Sequence, residues 1–243
     1  MKFDFYKIWK FLANVFFPRI CLHCKRDIHY LDDNVLCPSC FQNLQEIPEF
    51  YCKTCGVPLE HGAHCFDCRK PKNENPECSI IRARFVFNPQ IRSVIHSFKY
   101  HSKPYLAKIL AGWLLNSFER YPELKGYDSI TAIPLHPRKA AQRGYNQSEL
   151  LAEIIAEEKN LTLLDKVVAR KKETKSQAKL TRKERIANIS GAFEVLNAGK
   201  AKGRRILLID DVATTGSTMQ ECAGALKKAG AKSVAGLVVA RES

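Results

Sequence analysis

The stretch RRILLIDDVATTGSTMQECAGAL, Arg204 to Leu226, sets four apolar residues, two adjacent carboxylates and a run of small hydroxylated residues in direct succession. Ile206 to Ile209, preceded by Arg204 and Arg205, is a continuous apolar run of the kind a strand buried on both faces of a parallel sheet requires. After Thr218 the period changes. Met219, Cys222, Ala223 and Leu226 recur at helical spacing, and Gly230 supplies a stop signal. The segment therefore reads strand, tight loop, helix. Its polar residues fall at the carboxyl end of a strand, where open α/β sheets bind their ligands.

Ser217 and Thr218 stand at the helix start, where unpaired amides and the positive end of the dipole attract an anion, and Gly216 lets the main chain come close. A phosphate fits there. Asp210 and Asp211 would repel that phosphate, but carboxylates accept from vicinal hydroxyls and help to hold a divalent cation. A ribose with a 5-phosphate carries both features. An acidic strand end with an ordinary Ser/Thr cap is the plainer alternative, yet a cap needs only one such residue. No Gly-x-x-x-x-Gly-Lys-Ser/Thr occurs and no Gly-x-Gly-x-x-Gly follows a strand, which sets aside the P-loop and dinucleotide motifs.

At these residues the chain resembles the type I phosphoribosyltransferases, whose signature is an apolar strand, two acids and a loop of Thr, Gly and Ser. The resemblance implies that Asp210 and Asp211 accept the ribose hydroxyls of phosphoribosyl pyrophosphate (PRPP). It also implies that Thr214, Thr215, Gly216, Ser217 and Thr218 wrap the 5-phosphate, with Val212 and Ala213 among the PRPP-binding residues and magnesium accompanying the ligand.

Eight of the ten cysteines fall between Cys21 and Cys68 as four Cys-x-x-Cys pairs, CLHC, CPSC, CKTC and CFDC. Two such knuckles complete a tetrahedron around one zinc ion. Twelve residues separate Cys24 from Cys37 and nine separate Cys55 from Cys65, which is ribbon-like spacing. The expected sets are Cys21, Cys24, Cys37 and Cys40 around one zinc, and Cys52, Cys55, Cys65 and Cys68 around another. An interleaved pairing stands open. Disulfides would require an oxidising compartment, and nothing resembling a cleavable signal peptide begins the chain, so a cytoplasmic zinc protein is the expectation. His23, His61 and His64 lie inside the knuckles as bystanders, because eight cysteines already fill two tetrahedra. Cys78 and Cys222 are left over, and Cys222 falls on the apolar face of its helix as a core residue.

With 243 residues and 45% hydrophobic composition, the chain can hold one medium domain and a small appendage. Residues 1–20, MKFDFYKIWKFLANVFFPRI, read as an amphipathic helix ended by Pro18. It is too short and charged to span a bilayer, and Lys2, Lys7 and Lys10 leave membrane-surface contact and docking on the protein itself equally open. Residues 21–70 make a double zinc ribbon, and RKPKNENPE is a polar linker.

Residues 78–243 form the second domain. Its expected elements are a strand at SIIRARFVF, helices at 91–100 and 105–120, a strand at 129–134, a helix at 147–158, strands at 166–170 and 192–196, the opening motif, and a strand at 233–240. Strands alternating with helices predict a mainly parallel α/β sheet flanked by helices.

The net charge is +14, a bias toward polyanionic partners. Half of it lies between Lys166 and Arg185, nine basic residues against two acids. The densest sources there, Lys171, Lys172, Lys175, Lys179, Arg182 and Lys183, belong to a long segment between strands that is either an active-site flap or a nucleic-acid contact. In IPLHPRKAAQRGYNQSELLA, Arg138, Lys139 and Arg143 surround Gly144 at another strand end and suit a pyrophosphate, and Asp210, Asp211 and Arg143 are the catalytic candidates.

The cysteine knuckles, FKYHSKPYLAKIL, RGYNQ, TKSQAKLTRKERIANISGAF and IDDVATTGST occur in that order, and together they resemble the ComF family of competence proteins over nearly the whole chain. The resemblance implies handling of single-stranded DNA at the cytoplasmic side of the uptake machinery, with a DNA-uptake helicase or other competence proteins as partners.

Three functions compete. An active phosphoribosyltransferase uses the whole cradle, but the chain stops three residues after Ala240, so a base-reading hood has to come from the zinc module or its linker. A DNA-binding module uses the charge and the ribbons, with Tyr100, Tyr145, Phe41 and Phe66 as stacking candidates, although an aromatic in a ribbon is more often a small core residue. A PRPP-responsive regulator would need a helix-turn-helix, and none is evident.

Overall fold

The computed structural model describes residues 9, 12, 14–16, 18–32, 34–70, 76–100, 103–173 and 182–243, with backbone alone at 182, 183, 185 and 186. The expectations for Lys2, Lys7, Lys10, Lys175 and Lys179 lie outside them. A short helix α1 (Pro38–Gln42) belongs to the first ribbon. Strand β1 (Ile80–Val86) is followed by α2 (Pro89–Tyr100), α3 (Leu106–Arg120), β2 (Ser129–Ala132), α4 (Pro137–Arg143), α5 (Gln147–Lys159), β3 (Thr162–Leu163) and β4 (Val168–Arg170). Then come α6 (Arg182–Ile189), β5 (Phe193–Val195), α7 (Ala198–Ala201), β6 (Arg205–Ala213), α8 (Ser217–Lys228) and β7 (Ser233–Arg241).

Five strands form a parallel sheet in the order β1-β7-β6-β2-β3. The apolar run of β6 is central because both faces are covered. Leu207 and Ile209 pack with α2, α3 and α5 on one side, while Ile206 and Leu208 pack with Met219, Cys222, Ala223 and Leu226 of α8 on the other. Two expectations change in detail. Strands β4 and β5 pair with each other, antiparallel, as a separate two-stranded sheet. Strand β6 runs on through both aspartates to Ala213, so the acids are strand residues.

Helix α4 was not expected from the apolar pattern, since none of its residues is buried. Pro137 at its first turn and Gly144 in the left-handed region after its last define it.

The first ribbon is not separate from the rest. Cys21, Leu22, Ile28, Leu36 and Cys40 share one core with Ile91 and Val94 of α2. Residues 45–47 then run antiparallel beside β1, with main-chain bonds Val86 N to Gln45 O (2.8 Å) and Ile47 N to Arg84 O (3.1 Å). Among the described residues no helix is long and apolar enough to cross a membrane.

Candidate functional site

The ends of β6 and β2, the start of α8 and the last turn of α2 meet at one place. Asp211 is buried and pairs with the Lys99 ammonium at 2.8 Å. Asp210 accepts a hydrogen bond from Ser148 Oγ (2.9 Å) and another from the Asp211 amide (2.9 Å). Burial first, and then the neighbouring Asp211 carboxylate, push the Asp210 carboxyl up to about 7, against the opposing effect of Lys99. Ser148 is in position because Asn146 caps α5. Its side chain accepts from the Ser148 amide (3.1 Å) and donates to Ile133 O and Glu149 Oε1.

The loop from Thr214 to Thr218 turns on Gly216, which caps α8 at φ +79°. Thr215 Oγ1 donates to Ser217 Oγ (2.9 Å) and accepts from the Ser217 amide (3.3 Å). The conformational demand on Gly216 is therefore a positive φ, and a Cβ there would also stand 3.1 Å from Ile81 Cδ1.

Lys99 and Arg170 act on the acids, and Lys139 feels the charges of Arg170 and Arg143. Arg143 donates to Gln147 Oε1 (2.9 Å) and Tyr100 Oη (3.1 Å), with its guanidinium over the Tyr100 ring. Burial, then the charges of Arg170 and Arg143, depress the Lys139 ammonium below its ordinary value. Burial likewise depresses Arg170, while Asp210 acts to raise it. Arg138 does not join this group: its guanidinium is largely exposed and donates to Glu173 Oε2 (2.7 Å).

The sequence reading missed Lys99, Ser148 and Arg170. Ser148 was recoverable from its place in the first turn after the strand end at Pro134, and Lys99 lies within the quoted FKYHSKPY without a role. Nothing local marks Arg170, which reaches the acids from the end of β4.

Of the basic segment, Lys171 and Lys172 follow β4, and Lys172 Nζ donates to Ser190 O (2.7 Å). Arg182 and Lys183 open α6.

The cysteines form two sequential tetrads, Cys21, Cys24, Cys37 and Cys40, and Cys52, Cys55, Cys65 and Cys68, each with its sulfur atoms within 4.8 Å of one another. The Cys24–Cys37 and Cys55–Cys65 sulfur separations are 3.6 and 3.7 Å. Tetrahedral zinc with Zn–S near 2.3 Å requires about 3.8 Å, so each tetrad fits one zinc ion. His23 and His64 are engaged elsewhere, with Ser93 Oγ (3.0 Å) and Thr54 Oγ1 (3.2 Å). Cys78 and Cys222 are fully buried in the core. Phe66 is 72% exposed and Phe41 38%, so neither is the small core residue that ribbon aromatics usually are.

A double zinc ribbon domain model matches residues 12–69, and a phosphoribosyl transferase domain model matches residues 141–243. Competence protein F of Haemophilus influenzae is 31% identical over 224 residues, 90% of this chain and 95% of the relative. The chain belongs to the ComF family of competence proteins. Two further relatives extend the match. Competence protein ComFC of Streptococcus pneumoniae is 32% identical, covering 84% of this chain and 86% of the relative. The DNA utilization protein YhgH of Salmonella typhimurium is 27% identical, covering 89% and 94%.

Proposed function

We propose that this chain is a competence protein of natural transformation, acting in the cytoplasm, that binds PRPP with magnesium at the β6–α8 junction and handles single-stranded DNA. The observation that carries the PRPP reading is the union, on one strand end, of the Asp210 and Asp211 pair with the glycine-capped start of α8. Asp210 and Asp211 accept the ribose hydroxyls. The amides of residues 214–218 and the hydroxyls of Thr214, Thr215, Ser217 and Thr218 take the 5-phosphate. Arg143 and Lys139 face the pyrophosphate, with Arg138 reaching it only by exchanging Glu173 for the ligand.

Asp210 and Asp211 are adjacent carboxylates at one strand end, oxygen donors of the kind a hard divalent cation takes, so magnesium fits beside them. Bound there, it would neutralise charge on the pyrophosphate. Lys99 pairs with Asp211 and orients it, and Ser148 orients Asp210.

The names of the relatives support the competence role, and the net charge of +14 supports a polyanionic partner. Calorimetric titration with PRPP and magnesium, followed by an assay for pyrophosphate release with candidate bases and DNA, tests the site and separates binding from turnover. Asp210→Ala with Asp211→Ala should weaken PRPP at least tenfold in a folded protein. Unchanged affinity would move the site elsewhere.

For DNA, replacing Lys171, Lys172, Lys175, Lys179, Arg182 and Lys183 by Gln should weaken single-strand binding and flatten its salt dependence. Wild-type affinity and slope in that variant would leave the segment as a flap.

A further inference from the structure

We propose that Arg241 is a positioning residue that joins the second cysteine tetrad to the phosphate loop, so that the metal held by that tetrad sets the affinity for a 5-phosphate. This rests on reading residues 214–218 as a phosphate site.

Arg241 ends β7, in register with Ala213 at the end of β6. It is buried, and each of its side-chain hydrogen bonds ends on a main-chain carbonyl. Nη1 donates to Ala213 O (3.1 Å), Thr214 O and Glu242 O (2.9 Å), while Nε donates to Cys55 O (2.8 Å). One rigid guanidinium thus holds the first peptide of the loop and the main chain of a tetrad ligand at once. Its charge is fixed immediately behind the loop, where it adds to the field that draws an anion to the start of α8.

A second route runs in parallel. Thr54 O accepts from the Ile81 amide (2.8 Å), and Gly56 lies so close that a Cβ on it would stand 2.4 Å from Ile81 O. The Ile81 side chain in turn rests against Gly216. The knuckle between Cys52 and Gly56 therefore backs the loop through both Arg241 and Ile81. A knuckle of this size has little core of its own and depends on its metal for shape.

The test uses full-length, zinc-loaded protein and two calorimetric probes, ribose 5-phosphate and magnesium pyrophosphate. Arg241→Met should weaken ribose 5-phosphate about tenfold and leave magnesium pyrophosphate unchanged, with partial recovery in Arg241→Lys. Cys68→Ser should lower zinc content and produce a similar loss, which is not additive with Arg241→Met. Deuterium uptake at residues 213–218 should rise in Arg241→Met while that of residues 21–40 stays unchanged.

Wild-type ribose 5-phosphate affinity in either variant would overturn the coupling, as would additive losses or an equal loss of both probes. A wild-type protein that binds neither probe would instead overturn the phosphate-site reading itself.

Discussion

Two glycines of the second ribbon separate backbone conformation from packing. Gly56 and Gly62 both lie in the left-handed region, at φ +71° and +85°, so an alanine at either costs about 1 kcal/mol of backbone strain. A Cβ on Gly62 meets nothing within 4 Å, whereas one on Gly56 would stand 2.4 Å from Ile81 O. That is about 1 Å inside ordinary C···O contact. The carbonyl cannot swing away freely, because it accepts from the buried Arg82 guanidinium (2.9 Å) and is flanked by the bond from the Ile81 amide to Thr54 O. Overpacking of this kind costs roughly 1–3 kcal/mol. Gly56→Ala should therefore cost about 2–4 kcal/mol, against about 1 kcal/mol for Gly62→Ala. For a domain of this size each kcal/mol lowers Tm by about 2–4 °C. Thermal unfolding at saturating zinc and one protein concentration reads the difference. Equal drops in Tm would refute the claim that the knuckle is pressed onto β1.

Further outcomes follow from the site and the cysteines. Burial and then the Asp211 charge push the Asp210 carboxyl up to about 7, above the ordinary carboxyl value, so its protonated form is favoured below that pH. Its contribution to stability is full below that ordinary value and lost as pH rises through about 7, whereas a hydroxyl-accepting role needs the ionised form. PRPP affinity should accordingly rise up to about pH 7 and level off. Ser148→Ala removes a bond to the carboxylate, so the midpoint measured by calorimetry should move up by about one pH unit. An unmoved midpoint would assign the titration to another group.

Metal analysis of reduced protein should give two zinc equivalents, falling toward one in Cys21→Ser, with PRPP binding still measurable. Burial pushes the Cys78 thiol up to about 12 and raises Cys222 as well, so a thiol reagent should modify neither until the protein unfolds.

The parts of the fold that were legible in the sequence are those where a local pattern narrows the physical solutions. Ile206 to Ile209, preceded by basic residues and followed by a change of period, reads as a strand covered on both faces, and four Cys-x-x-Cys pairs at ribbon spacing can close two tetrahedra, which the structure forms in sequence order and not interleaved. Helix α4 was hidden because it buries nothing and is defined by Pro137 and Gly144 alone. The β4–β5 pairing was hidden because a three-residue strand carries no alternation that fixes its partner. The acids and the phosphate loop were legible together, being contiguous. Lys99, Ser148 and Arg170 were not, since each reaches the acids from a different element and only the tertiary placement of α2, α5 and β4 brings them there.

The strand order also sets a timetable for synthesis. Strand β1 has a single neighbour in the sheet, β7, and the two are separated by some hundred and fifty residues of chain. As the polypeptide emerges from the ribosome, the ribbons and the apolar β1 appear early and their partner in the sheet appears last, so closure of the core waits for residues 233–241. Parallel pairing over so long a span makes for slow folding. Until it closes, the face of β1 is an aggregation-prone surface, blunted on one edge by residues 45–47. Early loading of zinc would order that guard segment's neighbours before the sheet exists, giving the ribbons a part in biogenesis as well as in the finished molecule.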